Sequence, residues 1–134
     1  MIAADTSAVV AAFASWHEHH AAANRAIGSG VRLIEHCALE TYSVLTRLPP
    51  PHRAPGAVVR DFLKARFPGP LLRLDPRAYR SFVLALPDVG VSGGAAYDAL
   101  VAATAARHGA ELVTCDQRAI ALYDKYTVRV QLLS

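Results

Sequence analysis

The segment Ile2-Ala3-Ala4-Asp5-Thr6-Ser7-Ala8 decides the fold. Its brief apolar run, residues 2–4, ends at polar residues and predicts a short strand. Asp5-Thr6-Ser7 then supplies capping side chains for a helix that we expect over residues 8–14. The chain therefore begins with a strand, a cap and a helix, which is the opening unit of a parallel α/β sheet.

The same alternation continues to the end of the chain. Further strands are predicted at 31–34, 71–74, 111–114 and 128–132, and further helices at 17–27, 36–48, 55–67, 76–86, 94–108 and 117–123. Strands that alternate with helices form a parallel sheet covered on both faces. We therefore predict an α/β protein with one domain over residues 1–134. Its three α/β/α layers would surround a central parallel sheet of four to five short strands.

Composition supports a folded domain and excludes other classes. Of 134 residues, 53% are hydrophobic and 19% charged, which favours a sizeable core over a disordered chain. No apolar stretch approaches the ~20 residues that cross a bilayer. The first residues lack the basic and apolar pattern of a secretory signal, so we expect a cytoplasmic protein. The two cysteines, Cys37 and Cys115, are expected to be reduced and buried.

Positive charge is concentrated in the middle of the chain. The net charge is +3, but residues 47–80 contain eight basic and two acidic residues, a net charge of +6. The remainder therefore carries −3. A cationic middle with acidic flanks indicates an anionic partner beside a site made of carboxylates, although ordinary solvated helix faces produce the same pattern.

Four carboxylates are the candidate functional residues. Asp5 directly follows the first predicted strand, and Asp116 lies just beyond the strand at 111–114. In open parallel sheets, ligands bind outside the carboxyl ends of the strands, where the strand order reverses. Glu40 and Asp98 share helix faces with apolar neighbours, so we expect both to point inward. The four acids would then converge at one crevice.

Each of these acids also has a simpler interpretation. Asp5 and Asp116 precede helices and can serve only as N-caps, and Glu40 can be a surface residue. Asp98 is hardest to explain in this way, because no Lys or Arg lies within one helical turn of it. Considered together, the four form an oxygen-only donor set, which suits Mg²⁺ or Mn²⁺.

Histidines and aromatic residues are given structural roles. The segment Trp16-His17-Glu18-His19-His20 opens a predicted helix and contains no cysteine, so we expect a solvated or hydrogen-bonding face and no metal site. We expect Trp16 and four tyrosines to make core or dimer contacts rather than to stack on bases. The tyrosines are Tyr42, Tyr97, Tyr123 and Tyr126.

Four segments, taken in order, resemble the PIN domain and, more narrowly, the toxin subunits of bacterial VapBC toxin–antitoxin pairs. The segments are 2–8, 39–47, 93–102 and 112–116, and the resemblance covers essentially the whole chain. It implies that Asp5, Glu40, Asp98 and Asp116 form an acidic pocket that binds one or two Mg²⁺ or Mn²⁺ ions. It also implies that the hydroxyls of Thr6 and Thr114 lie at the pocket edge and contact substrate.

The resemblance further implies a metal-dependent endoribonuclease that cuts structured or translational RNA, such as tRNA or rRNA. Such a toxin forms a homodimer and a higher assembly with a VapB-type antitoxin. Within the basic middle, Arg47, Arg53, Arg60 and Lys64 would contact either RNA phosphates or the antitoxin.

One departure from the family concerns substrate choice: Cys115 follows Thr114, and residues 117–120 contain no aromatic side chain. A catalytically silent PIN-like module that binds RNA or protein is the alternative reading of the chain.

Overall fold

Four short parallel strands form the centre of the molecule. The computed structural model describes residues 1–134, and its sheet has the order β2-β1-β3-β4. Ala4 pairs with Leu33 on one side and with Val113 on the other. The strands are β1 (Ile2–Ala4), β2 (Arg32–Leu33), β3 (Glu111–Thr114) and β4 (Val130–Leu132). The predicted parallel sheet is confirmed, with four strands.

Seven α-helices connect these strands and complete the three layers. They are α1 (Thr6–Phe13), α2 (His20–Ala26), α3 (Glu35–Thr46), α4 (Gly56–Arg66), α5 (Pro76–Val89), α6 (Ala95–Arg107) and α7 (Ile120–Asp124). A 3₁₀ turn, Gln117–Ala119, precedes α7. None of the helices has the length and apolar character needed to cross a membrane.

The strand order reverses next to β1. From β1 the chain passes through α1 and α2 to β2 on one side, and α3 to α6 then carry it across to β3 on the other side. The carboxyl ends of β1 and β3 are consequently adjacent, and the Asp5 amide donates to the Val113 carbonyl at 3.0 Å. This is the position at which parallel sheets bind ligands.

Small side chains let the layers pack closely. Ala3 and Ala4 of β1 are fully buried, as are Leu112 and Val113 of β3. The helix α6 buries a face made largely of alanine, and α1 does the same. Close approach of helices to the sheet brings the first turns of α1 and α6 to the carboxyl edge of β1 and β3.

Several predicted elements differ in extent from the structure, and two of these differences have a local cause. The strand at 71–74 is reduced to a single bridge between Leu72 and Ile34, because Pro70 precedes it and the cap of α5 follows at Asp75. The second helix begins at His20 instead of residue 17, since the ring of His17 accepts a hydrogen bond from the amide of residue 19 and stabilises a turn.

Candidate acidic active site

A cavity of about 310 Å³ opens at the carboxyl edge of β1 and β3. All four predicted acids line it, and no Lys or Arg does. The lining residues are Asp5, Thr6, Ser7, Val10, His17, Glu40, Val44, Asp98, Val101, Asp116 and Tyr123. The structure therefore brings together carboxylates from four different segments of the chain.

Asp5 is the most buried of the four acids, with 4% of its surface exposed. Its Oδ1 atom accepts hydrogen bonds from the Ser7 hydroxyl at 2.6 Å and from the Ala8 amide at 3.1 Å, so it also caps α1. Its Oδ2 atom accepts from the Tyr123 hydroxyl at 2.8 Å. Burial raises the pKa of this carboxyl above its ordinary value. Because a carboxylate oxygen has two acceptor positions, Oδ2 retains one for a ligand.

Ser7 links the two central strands at the cavity. Its hydroxyl donates to Asp5 and accepts from the Cys115 amide at 2.9 Å. It also lies 3.2 Å from the Thr114 hydroxyl. The segment after β3 is thereby held against the segment after β1, which fixes the edge of the cavity.

Asp98 and Glu40 line the cavity from α6 and α3. Asp98 lies in the first turn of α6, where the helix dipole favours a negative charge. Burial nevertheless raises the pKa of its carboxyl, and the charges of Glu40, Asp116 and Asp5 raise it further. The Glu40 side chain is 39% exposed, and its Oε2 lies 3.6 Å from Nε2 of His36. These acids are close enough for their negative charges to repel one another.

Asp116 is exposed at the mouth of the cavity. Its Oδ1 accepts from the Arg118 amide at 3.0 Å, so it caps the 3₁₀ turn, and its own amide donates to the Thr114 hydroxyl at 3.0 Å. Thr114 is fully buried. Its hydroxyl is therefore engaged in holding Asp116 and Ser7, and the expected contact of Thr114 with substrate stays a prediction.

The sequence of the chain matches a known protein family over most of its length. The PIN domain family model matches residues 2–125. The chain belongs to the PIN-domain family. This PIN domain is 51% identical over all 134 residues to the ribonuclease VapC40 of Mycobacterium tuberculosis, with both chains covered completely. It is 41% identical to the ribonuclease VapC27 of the same species, over 96% of this chain and 94% of the relative. The resemblance seen in the sequence is confirmed.

The fold of this PIN domain also has a solved counterpart. The crystal structure of FitAcB from Neisseria gonorrhoeae is similar with a TM-score of 0.70, covering 97% of this chain and 96% of that one. The sequences are 21% identical, so the likeness concerns the fold alone.

The other two expected substrate contacts of the PIN domain are Thr6, inside the cavity, and Arg47, outside it. Thr6 lines the cavity, and its buried hydroxyl has no hydrogen-bond partner in the structure. Arg47 is exposed directly after α3, one turn beyond Val44 of the cavity wall, and donates to the Ser43 hydroxyl at 2.6 Å. Both remain predictions as substrate contacts.

Part of the basic middle is structural. Arg66 donates to the Asn24 side chain at 2.7 Å and to the Ile27 carbonyl at 2.9 Å, and its guanidinium lies over the Phe62 ring. Arg53 donates to the Leu48 carbonyl at 2.8 Å. The charge of this segment is therefore not entirely free for a partner.

The sequence did not predict three polar residues that line the cavity of the PIN domain. Ser7 had a usable signal, since a serine two positions after a capping aspartate can bond to it. Tyr123 had none, because it meets Asp5 across 118 positions of sequence. His17 lines the cavity, whereas the sequence predicted a solvated or hydrogen-bonding face for it. Its Nδ1 accepts from the amide of His19, which leaves Nε2 as the donor of the neutral ring.

Proposed function

We propose that this chain is a ribonuclease that hydrolyses RNA phosphodiester bonds with a divalent cation held by Asp5, Glu40, Asp98 and Asp116. The observation that carries the proposal is the convergence of these four carboxylates on one cavity of a PIN domain. The relatives named ribonuclease, which match most or all of the chain, support it.

The donor set suits a hard cation. All four acids offer oxygen atoms, as does the unpartnered hydroxyl of Thr6. Burial raises the pKa of the Asp98 carboxyl and the neighbouring carboxylates raise it further, and a positive charge that enters the cavity would offset their mutual repulsion. No three histidine, cysteine, aspartate or glutamate side chains form a ready-made ligand cluster. One or two of the four carboxylates would therefore bind Mg²⁺ or Mn²⁺ directly and the others through its waters, which is how Mg²⁺ is commonly bound.

Hydrolysis requires water to add to phosphorus while the bond to the leaving ribose oxygen breaks and that oxygen takes up a proton. A bound Mg²⁺ or Mn²⁺ lowers the pKa of water and offsets the negative charge that develops on the phosphoryl group. The chain's own part is to hold the carboxylates in place. Ser7 and Tyr123 fix Asp5 from opposite sides, and the Arg118 amide fixes Asp116.

We also propose that the chain is the toxin of a type II toxin–antitoxin pair that acts in the cytoplasm on tRNA or rRNA. The VapC names of its relatives support this role and a VapB-type antitoxin as partner. The exposed basic side chains, including Arg47, would contact RNA phosphates or that antitoxin. A homodimer is supported by exposed apolar residues on α3 and α5, among them Leu39 and Val83.

Cleavage of total RNA by the purified chain in Mg²⁺ or Mn²⁺ tests the enzymatic proposal. We expect Asp5→Asn and Asp98→Asn to lose more than about a hundredfold in rate, because an amide does not supply the anionic ligand. Glu111→Gln is the matched control, since Glu111 begins β3 at the opposite edge of the sheet.

Chelation should abolish cleavage by the wild type. Cleavage that survives unchanged in either aspartate variant would overturn the proposal. Stabilisation by Mn²⁺ without any cleavage would favour the catalytically silent module instead.

A further inference from the structure

The acidic cavity presents a problem for the RNA that the proposed function brings to it. Four carboxylates line the cavity and no Lys or Arg does, so the wall repels phosphates except at a bound cation. Contacts that carry no charge would add affinity close to the reacting bond, beside the basic Arg118 and Lys125 of the neighbouring cavity. Stacking of nucleobases on aromatic side chains is such a contact, and it binds single strands with little dependence on base sequence.

Trp16 offers one such surface beside the cavity. It is 49% exposed, and its ring lies 4.3 Å from that of His52, centroid to centroid, at an interplanar angle of 36°. The ring of His17, which lines the cavity, lies 6.0 Å from the indole. The tryptophan is thus attached to the cavity wall by its chain neighbour and supported from beneath by a second ring.

Tyr97 offers a second surface on the α6 side. It is 58% exposed, and its ring is nearly parallel to that of His36, with centroids 5.3 Å apart and an angle of 11°. His36 in turn lies 3.6 Å from the Glu40 carboxylate, and Asp98 follows Tyr97 in the chain. Both neighbours, Glu40 and Asp98, line the cavity.

The other exposed tyrosines lack this relation to the acids. Tyr42 lies in the groove between α3 and α4, and Tyr79 lies on α5 beside a separate cavity. Only Trp16 and Tyr97 combine exposure, a supporting histidine ring and an immediate chain neighbour in the acidic wall. The expectation of core or dimer contacts for these two does not explain that combination.

We propose that Trp16 and Tyr97 are stacking platforms for unpaired bases of an RNA strand that crosses the acidic cavity. This inference rests on the proposed ribonuclease function and assigns two side chains that would bind the bases of its substrate. Bases inside a duplex are stacked on one another and are not available to side chains.

The tryptophan makes the proposal directly measurable, because it is the only one in the chain. In an Asp98→Asn background with Mg²⁺, we expect an unstructured 12-nucleotide RNA to quench the Trp16 fluorescence saturably. A duplex of the same composition should not. In that background, Tyr97→Ala should weaken binding of the 12-nucleotide RNA roughly tenfold.

Matched variants separate stacking from general effects on the fold. Tyr97→Phe and Trp16→Phe should restore binding, measured by anisotropy of a labelled RNA, because a phenyl ring still stacks. Tyr42→Ala should leave it unchanged. In the catalytically intact chain, Trp16→Ala and Tyr97→Ala should raise KM and leave kcat unaltered.

The outcomes distinguish this inference from the function on which it rests. Cleavage by the wild type together with RNA binding that neither quenches Trp16 nor responds to Tyr97→Ala would overturn the stacking platforms and leave the ribonuclease intact. Quenching of Trp16 by RNA without cleavage under any metal would overturn the ribonuclease and leave the stacking platforms intact. Equal quenching by duplex RNA would also overturn the proposal.

Discussion

Asp98 is a carboxylate whose charge is disfavoured in the metal-free fold. Burial and three neighbouring acids raise the pKa of its carboxyl above the ordinary value of 3.8. The folded chain therefore binds this proton more readily than the unfolded chain does. Its contribution to the free energy of unfolding is complete below the unfolded pKa and is lost as the pH rises through the folded pKa.

Replacing Asp98 by Asn should therefore stabilise the protein while inactivating it. With chelator at pH 7, we expect Asp98→Asn to have a higher free energy of unfolding than the wild type, and a weaker pH dependence from about pH 4 to pH 7. Urea denaturation across this range measures both. Mn²⁺ should stabilise the wild type more than the variant. A variant less stable than the metal-free wild type at pH 7 would contradict the electrostatic argument.

At this scale, the local sequence indicated the acids that line the cavity better than the side chains that hold them. Asp5 and Asp116 were found because each follows a strand, and Asp98 because it lies on an apolar helix face without a nearby cation. The hydroxyl of Tyr123 acts on Asp5 across most of the chain, and the fully buried Thr114 contacts Ser7 and Asp116. Such pairings depend on strand order, which no local pattern specifies.

Among the elements, α5 has the clearest end signals. Asp75 accepts from the Ala78 amide at 2.8 Å, Pro76 occupies the first turn, and Gly90 ends the helix at φ 75°. A side chain at Gly90 would meet nothing closer than 4.0 Å, so space does not oppose substitution. The left-handed backbone alone requires glycine here.

Gly90→Ala should therefore lower the free energy of unfolding by about 1 kcal/mol, the cost of a left-handed conformation for an L-residue. Gly28→Ala is the matched control, because Gly28 has no positive φ and open space around its Cα. We expect that change to be neutral or slightly stabilising. Equal effects of the two substitutions in urea denaturation would contradict the backbone argument.

Helices were predicted better than edge strands. Every helix begins and ends within three residues of its predicted bounds, because caps, prolines and glycines mark the ends locally. The segment at 71–74 has the apolar pattern of a strand but makes only one bridge. Pairing length depends on the partner strand, and β2 has two residues to offer.

On the scale of the whole molecule, the apolar surface between α3 and α5 lacks a partner within the chain. No residue of α5 is fully buried; Leu39 and Tyr79 are exposed beside one cavity, and Val83, one turn after Tyr79 on α5, is exposed as well. Exposed apolar side chains grouped in this way are typical of protein interfaces. In the proposed homodimer, a second copy of the chain would cover this apolar surface.

Val83→Glu should convert that homodimer to a folded monomer, because two buried carboxylates at a symmetric interface repel and lose water. Light scattering after size exclusion measures the mass, and circular dichroism confirms the fold. Val58→Glu, an equally exposed valine on α4, is the control and should remain dimeric. A wild type that is monomeric throughout, or dissociation by both variants, would contradict the interface.

The hydrogen bond from Tyr123 to Asp5 also sets an order of events during protein synthesis. Asp5 is made 118 positions before its partner. The segment after β3 that carries Asp116 also follows Asp5 by most of this distance. A growing chain therefore contains the first acid of the cavity without the tyrosine that holds it until these positions have been added, and the acidic centre is completed only then.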